Sequence, residues 1–291
     1  MSAVGSKLEG ARMMYPGTLV EALGLLENEG TRGILLAGGT DLMVQWEAGV
    51  RAAPERIIDL SGVGELKEIR AVGDRLFIGA GVTHRMLRES AVIQRGFPAL
   101  AAAAATVGGR QIQAMGTLGG SLANASPAGD IAPSLLVADT KVVVASAKGE
   151  RTVGLEAFLI DYRKIDLRDG ELIVGVEVAT LKEGEKEQWR KLGPRAAQAI
   201  SKVMGTYRGK YEGGRVVSFA VALGSVAPKA IRLPDVEAFV VGREIDRKTL
   251  EEAEALTSSL VKPISDIRST ASYRSWVSGR LVRGFLEHLR E

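Results

Sequence analysis

Two short glycine clusters constrain this chain more than any other feature: Ala37-Gly38-Gly39-Thr40-Asp41 and Gly116-Thr117-Leu118-Gly119-Gly120-Ser121. Each pairs adjacent glycines with hydroxyl or carboxylate neighbours. Glycine enters backbone conformations closed to other residues, so a strand that ends in the first cluster can aim several N–H groups at one point. Such a bend forms a concave anion site of the kind used for phosphates, and Thr40 adds a hydroxyl donor. A Gly-Gly pair taken alone reads first as an ordinary tight turn, and this one matches no Walker or Rossmann pattern. The second cluster is richer. From Thr117 to Asp130 the chain mixes polar donors with small residues, so the segment can lie flush against a flat ligand with its Thr, Asn and Ser side chains bonding outward.

Composition narrows the function classes. The 291 residues suggest two domains, or one with a substantial appendage, and 46% hydrophobic content is ample for a packed core. Lys and Arg number 38 against 35 Asp and Glu, with no basic block, which argues against nucleic-acid binding. No cysteine is present, so this chain can hold no disulfide, thiolate zinc site, cysteine nucleophile or iron–sulfur cluster. His84 and His288 are the only histidines, which disfavours a histidine-based metal site or triad. Residues 1–15 lack the apolar core of a signal peptide, and runs such as 34–37 and 98–107 are too short to span a bilayer. The expectation is a soluble, cytoplasmic protein without a membrane span.

Along the chain, Thr18-Leu19-Val20-Glu21 reads as a capping box, followed by Leu19, Ala22, Leu23 and Leu26 on one helical face. Residues 34–37 read as a buried strand that delivers the chain into the first glycine cluster, and 56–60 as another. The first sixty residues thus form a β/α unit. Strands are expected at 76–80 and 172–178, with a hairpin of 141–145 and 151–153 around Lys148-Gly149. Helices are expected at 83–90, 99–107 and 131–138. The charged stretch 180–189 reads as a boundary or exposed loop. Beyond it, 201–207 and 216–223 suggest a hairpin at Gly213-Gly214, and two helices follow, one over 247–261 and one from Thr270 with apolar residues at four-residue intervals.

Two further segments stand out. Gly79-Ala80-Gly81-Val82-Thr83-His84 begins like a dinucleotide fingerprint but lacks the third glycine, so it reads as a strand-to-helix turn with His84 in a structural place. Lys191 precedes a small-residue run, 196–201, that suggests a strand or helix against which something packs closely. Position alone leaves the role of Lys191 undecided.

With both clusters in view, the sequence resembles the FAD-binding medium subunit of the molybdenum hydroxylases, the family of xanthine, carbon monoxide and nicotinate dehydrogenases and archaeal glyceraldehyde oxidoreductase. Residues 35–42 look like its first flavin motif and 117–130 like its second; the likeness continues through 191–201 and 263–274 and so covers essentially the whole chain. The resemblance implies an α+β fold: a two-lobed vanillyl-alcohol-oxidase-type (PCMH-type) FAD-binding domain over residues 1–180, with lobes of about 1–60 and 61–180. A small sheet-plus-helices C-terminal domain would occupy 181–291. It further implies that Leu36, Ala37, Gly38, Gly39, Thr40 and Asp41 cradle the pyrophosphate. Thr117, Gly119, Gly120 and Ser121 would continue the cradle, while Asn124, Ser126 and Asp130 make polar contacts along the cofactor. Ile173 and Lys191 would border the isoalloxazine, where a cation suits the negative charge of reduced flavin. Ser121 and Ala114 stand where the family usually has Asn, and Pro194 replaces a residue that is often basic. The cysteine-bearing insertion of the hydroxybenzoyl-CoA reductase branch is absent.

The resemblance implies an electron-transfer subunit. A large molybdopterin partner would oxidise the substrate, a small partner with two 2Fe–2S clusters would relay electrons, and FAD on this chain would pass them to an external acceptor, in a dimer of heterotrimers. A chain without cysteine agrees with that division of labour. No general acid, base, nucleophile or metal ligand is expected here. Two rivals carry different signatures: a self-contained flavin oxidase or reductase would turn over an organic donor unaided, and a non-redox nucleotide-binding protein would purify colourless and refuse FAD.

Overall fold

The computed structural model describes residues 8, 10–29, 33–52 and 54–291. Five elements open the chain: β1 (Arg12–Met14), α1 (Leu19–Glu29), β2 (Gly33–Leu36), α2 (Leu42–Glu47) and β3 (Arg56–Asp59). The strands form a parallel sheet in the order β1-β3-β2. Thr18 caps α1 by accepting the Glu21 N–H at 3.2 Å, and the Glu21 carboxylate reaches back to the Gly17 N–H at 2.7 Å. Ala22 and Leu26 are buried, with Leu19 and Leu23 packed around them. The β/α unit is the one expected, with β1 added.

The chain then forms β4 (Ile69–Val72) and β5 (Arg75–Gly79), followed by six helices: α3 (His84–Glu89), α4 (Ala91–Gly96), α5 (Pro98–Ala104), α6 (Arg110–Met115), α7 (Leu118–Asn124) and α8 (Ala132–Val137). Then come β6 (Lys141–Ser146), β7 (Gly149–Gly154), α9 (Leu155–Phe158), the small hairpin β8 (Leu159–Asp161) and β9 (Lys164–Ile165), and β10 (Leu172–Ala179). An antiparallel sheet runs β4-β5-β10-β6-β7. Alternate residues point to opposite faces of a strand, and both faces of this sheet are covered. Leu76, Ile78, Val142, Val144, Val176 and Val178 face the helices, whereas Phe77, Val143, Ala145 and Leu172 meet Ala22, Leu26 and Ile58 of the N-terminal unit. The sheet is therefore the middle layer of three.

Residues 186–291 build β11 (Lys186–Leu192), β12 (Val203–Glu212), β13 (Arg215–Gly224), β14 (Ile231–Arg232), α10 (Pro234–Val240), α11 (Arg247–Leu260) and α12 (Ala271–Arg290). The sheet order is β11-β12-β13-β14, and the helices bury Leu250, Val277, Phe285 and Leu289 with Tyr207 and Phe219 of the sheet. The β12–β13 turn uses Gly213 and Gly214 at φ +59° and +78°, as the glycine pair predicts. Two expectations fail here. The charged segment 180–189 is not all loop, because its last four residues begin β11. Glu187, the charge that made it look exposed, is wholly buried against Arg208 of β12 at 2.8 Å. Residues 196–201 form neither strand nor helix but a loop, exposed at Ala196, Ala197, Gln198 and Ile200.

Candidate functional site

Strand β2 ends on Leu36, which is buried with Trp46 and Ile57, and the chain turns at once through residues 37–41. Gly39 sits at φ +68°, in the left-handed region that suits glycine. The N–H groups of Gly38, Gly39, Thr40 and Asp41 have no hydrogen-bond partner among the described residues. This bend rests on the C-terminal end of α6. A β-carbon on Gly38 would lie 1.9 Å from the Met115 carbonyl oxygen, and one on Gly116 would lie 3.3 Å from Thr40 Oγ1. The Asn124 amide closes the junction by donating to Asp41 Oδ1 at 2.8 Å. The fold thus brings the two clusters together.

The second cluster is a helix rather than a flat segment. Thr117 caps α7 by accepting the Gly120 N–H at 3.0 Å. The Leu118 N–H goes to Val82 O at 2.9 Å, that of Gly119 to Ala80 O at 2.8 Å, and that of Ser121 to Thr117 O at 3.0 Å. The backbone donors of residues 118–121 are therefore engaged within the protein, and what α7 presents is side chains. Gly119 is glycine because α7 presses on the turn that follows β5: a β-carbon there would lie 2.6 Å from that of Ala80. Ser121 Oγ lies 3.0 Å from His84 Nε2, and Asn124 Oδ1 accepts from Arg163 Nη1 at 2.7 Å. Ser126 accepts the Ala128 N–H at 3.3 Å in the loop that follows.

Asp130 and Lys191 form a second focus. Asp130 Oδ2 and Lys191 Nζ are 2.7 Å apart, and the ammonium also donates to Thr106 O at 3.2 Å. Their side chains are only 9% and 12% exposed, so the cation expected at Lys191 is neutralised in place. Burial outweighs the pull of Lys191 on the carboxyl and raises Asp130 to about 6. Ile173 belongs to neither focus; it is buried in the helix-facing core, opposite Val144 of β6.

Beside the ion pair opens a cleft of about 250 Å³, lined by Thr106, Trp189, Lys191 and the loop from Arg195 to Ala199. The Trp189 Nε1–H and Asp130 Oδ1 are buried without a partner in the described residues. Helix α6 links this cleft to the glycine bend. A β-carbon on its N-cap, Gly109, would lie 3.4 Å from the Gln198 carboxamide, while its other end supports Gly38. Six residues of helix separate the two by a rise of about 9 Å. Sequence reasoning missed Met115, Gly116, Thr106 and Arg163. Nothing in the neighbourhood of Thr106 or Arg163 flags them, whereas Gly116 already belonged to the quoted cluster.

Residues 7–180 match the family described as the FAD binding domain in molybdopterin dehydrogenase, and residues 189–289 the CO dehydrogenase flavoprotein C-terminal domain. The chain belongs to this family of flavoprotein subunits. It is similar to the carbon monoxide dehydrogenase medium chain of Hydrogenophaga pseudoflava, with 28% identity over 272 residues, 92% of this chain and 93% of that one. It is 30% identical over 259 residues to the glyceraldehyde dehydrogenase medium chain of Sulfolobus acidocaldarius, covering 88% and 90% of the two chains. The solved H. pseudoflava carbon monoxide dehydrogenase that lacks the Mo-pyranopterin moiety of its molybdenum cofactor aligns with a TM-score of 0.90 at 28% identity, over 94% and 95% of the chains. The chain is an oxidoreductase subunit with the α+β fold of the medium chains. No helix of the described residues is long and apolar enough to cross a membrane, and no group of His, Asp and Glu among them could hold a metal ion.

The donor set fits FAD. Unpartnered backbone N–H groups around a left-handed glycine suit a pyrophosphate. A cleft bordered by Trp189 and the Lys191 side chain, one helix length away, suits a flat heterocycle.

Proposed function

We propose that this chain is the FAD-carrying electron-transfer subunit of a soluble, cytoplasmic molybdenum hydroxylase. It would accept electrons from the 2Fe–2S clusters of a small partner, which is served by a large molybdopterin subunit, and hand them to an external acceptor. Relatives named as medium chains support partners of both kinds, and a dimer of heterotrimers is the assembly expected. The division into a flavin-binding part over 1–180, with lobes of about 1–60 and 61–180, and a C-terminal part over 181–291 belongs to the same proposal.

The observation that carries the reading is the meeting of Gly38 with Met115 and of Asp41 with Asn124, which puts free N–H donors beside the polar face of α7. FAD supplies the capacity to take electrons singly or in pairs. The chain's own residues position and shield. Residues 36–41 hold the pyrophosphate on backbone N–H groups. Thr117, Gly119, Gly120 and Ser121 border it, the last through its hydroxyl, and Asn124 and Ser126 contribute polar contacts further along. Lys191 lines the isoalloxazine cleft with its charge paired to Asp130, so the field there is that of a dipole rather than of a lone cation. Ile173 lies in the helix-facing core and takes no direct part in the cleft.

Purification of the native assembly tests the proposal. It should yield two further subunits bearing molybdopterin and 2Fe–2S signals, with one FAD per copy of this chain. A chain that purifies alone and turns over an organic donor, or one that stays colourless after incubation with FAD, defeats the proposal.

A further inference from the structure

His84 is the one buried histidine of the described residues, with 2% of its surface exposed, and no role for it follows from the flavin-site assignments above. It opens α3, and its backbone N–H donates to Gly116 O at 3.0 Å, which hangs the ring directly beneath the second glycine cluster. A β-carbon on Gly116 would touch the ring at 3.2 Å and Thr40 Oγ1 at 3.3 Å, so the imidazole packs where the two clusters converge. Nε2 lies 3.0 Å from Ser121 Oγ, and Nδ1 is buried with no partner.

Those contacts decide the tautomer. The desolvated ring is uncharged at neutral pH and carries one N–H. Were the proton on Nδ1, a buried donor would be left without an acceptor, an arrangement proteins avoid. With the proton on Nε2, the N–H donates to Ser121 Oγ, and only a bare ring nitrogen goes unpaired. The Ser121 oxygen then accepts from beneath, and its own hydroxyl proton is turned outward. Ser121 lies one helical turn before Asn124, on the face of α7 that meets Asp41.

We infer that His84 is a positioning residue: as a neutral Nε2–H donor it fixes the Ser121 hydroxyl as a hydrogen-bond donor toward the anionic part of the cofactor. This inference rests on the proposal that the chain carries FAD. Its test uses the full chain, stripped of flavin and titrated with FAD, and follows quenching of flavin fluorescence. His84→Leu and Ser121→Ala should each weaken binding about tenfold, as expected for loss of one hydrogen bond to an anion. The double variant should also lose only about tenfold, because both changes remove one relay. His84→Gln, which keeps a neutral donor, should bind within about threefold of the parent. Nitrogen-15 spectra of the unmutated chain should show the Nε2–H tautomer at His84, a readout that needs no variant to fold. Additive losses approaching a hundredfold, or an Nδ1–H tautomer, overturn the inference and leave FAD binding standing. Failure of the unmutated chain to bind FAD overturns the reading beneath it and the inference together.

Discussion

A methyl group at position 38 would land 1.9 Å from the Met115 carbonyl oxygen, and backbone cannot yield as a flexible side chain does. Gly38→Ala should therefore push the bend off α6 and cut FAD affinity at least tenfold in a fluorescence titration, with a lowered melting temperature. Gly39→Val adds about 1–2 kcal/mol of backbone strain at φ +68° and fills the cradle; Gly120→Val crowds Thr117 Oγ1, already 3.0 Å from a β-carbon there. Both should purify without flavin, and normal occupancy in the pair would count against the cofactor's placement. At Lys191 the structure changes the argument. Replacing it with Met strands the Asp130 carboxylate, 9% exposed, without its partner, and removal of one member of a buried pair costs about 3–5 kcal/mol. Adding Asp130→Asn should recover most of that loss in urea unfolding. If the single variant were as stable as its parent, the pair would have no structural weight. Among individual residues, the first cluster was legible because glycine pairs are conspicuous. The neutralisation of Lys191 was not, since its partner lies 61 residues away with no shared periodicity.

Helix α7 shows where element-level reading stops. Two glycines and a serine among seven residues argue against helix on intrinsic propensity. The helix forms because Thr117 caps it and because Gly119 alone allows contact with Ala80. Thr117→Ala should destabilise the chain by about 1 kcal/mol, and Thr117→Ser should restore it, as judged by denaturant midpoints. Equal stability of all three would remove the cap from the account. Elements with strong apolar periodicity were readable to within a residue or two: β2, β3, β5, β6, β10, β13 and α11. Strand β11 was hidden because its inward position 187 carries a charge satisfied by distant groups, Arg208 and the Ala99 N–H, and α4 and α6 because each is six residues long. That brevity leaves little room for a helical period to show.

Over the whole molecule, two buried groups set opposing responses to acid. Burial depresses His84 from 6.5 to about 4, so between those values the unfolded chain binds the extra proton and stability falls as pH falls. Asp130 is raised from 3.8 to about 6, so in that range the folded chain binds the extra proton and stability falls as pH rises. The two largely offset each other near pH 5. His84→Gln removes one side, so its stability relative to the parent should improve on acidification from about pH 6.5 to 4, by on the order of 3 kcal/mol. A constant difference across that range would show that the imidazole is not desolvated. The three-layer plan around the central sheet, in contrast, could not be foreseen from any one strand, because it depends on which face of β5 and β6 meets Ala22 and Leu26. The contact between Gly38 and Met115 also has a bearing on biogenesis. The first bend leaves the ribosome 77 residues ahead of the carbonyl that shapes it, a delay of about 4–15 s at ordinary synthesis rates. A nascent chain halted within that interval has half a clasp, so prosthetic-group capture must await translation of the later portion.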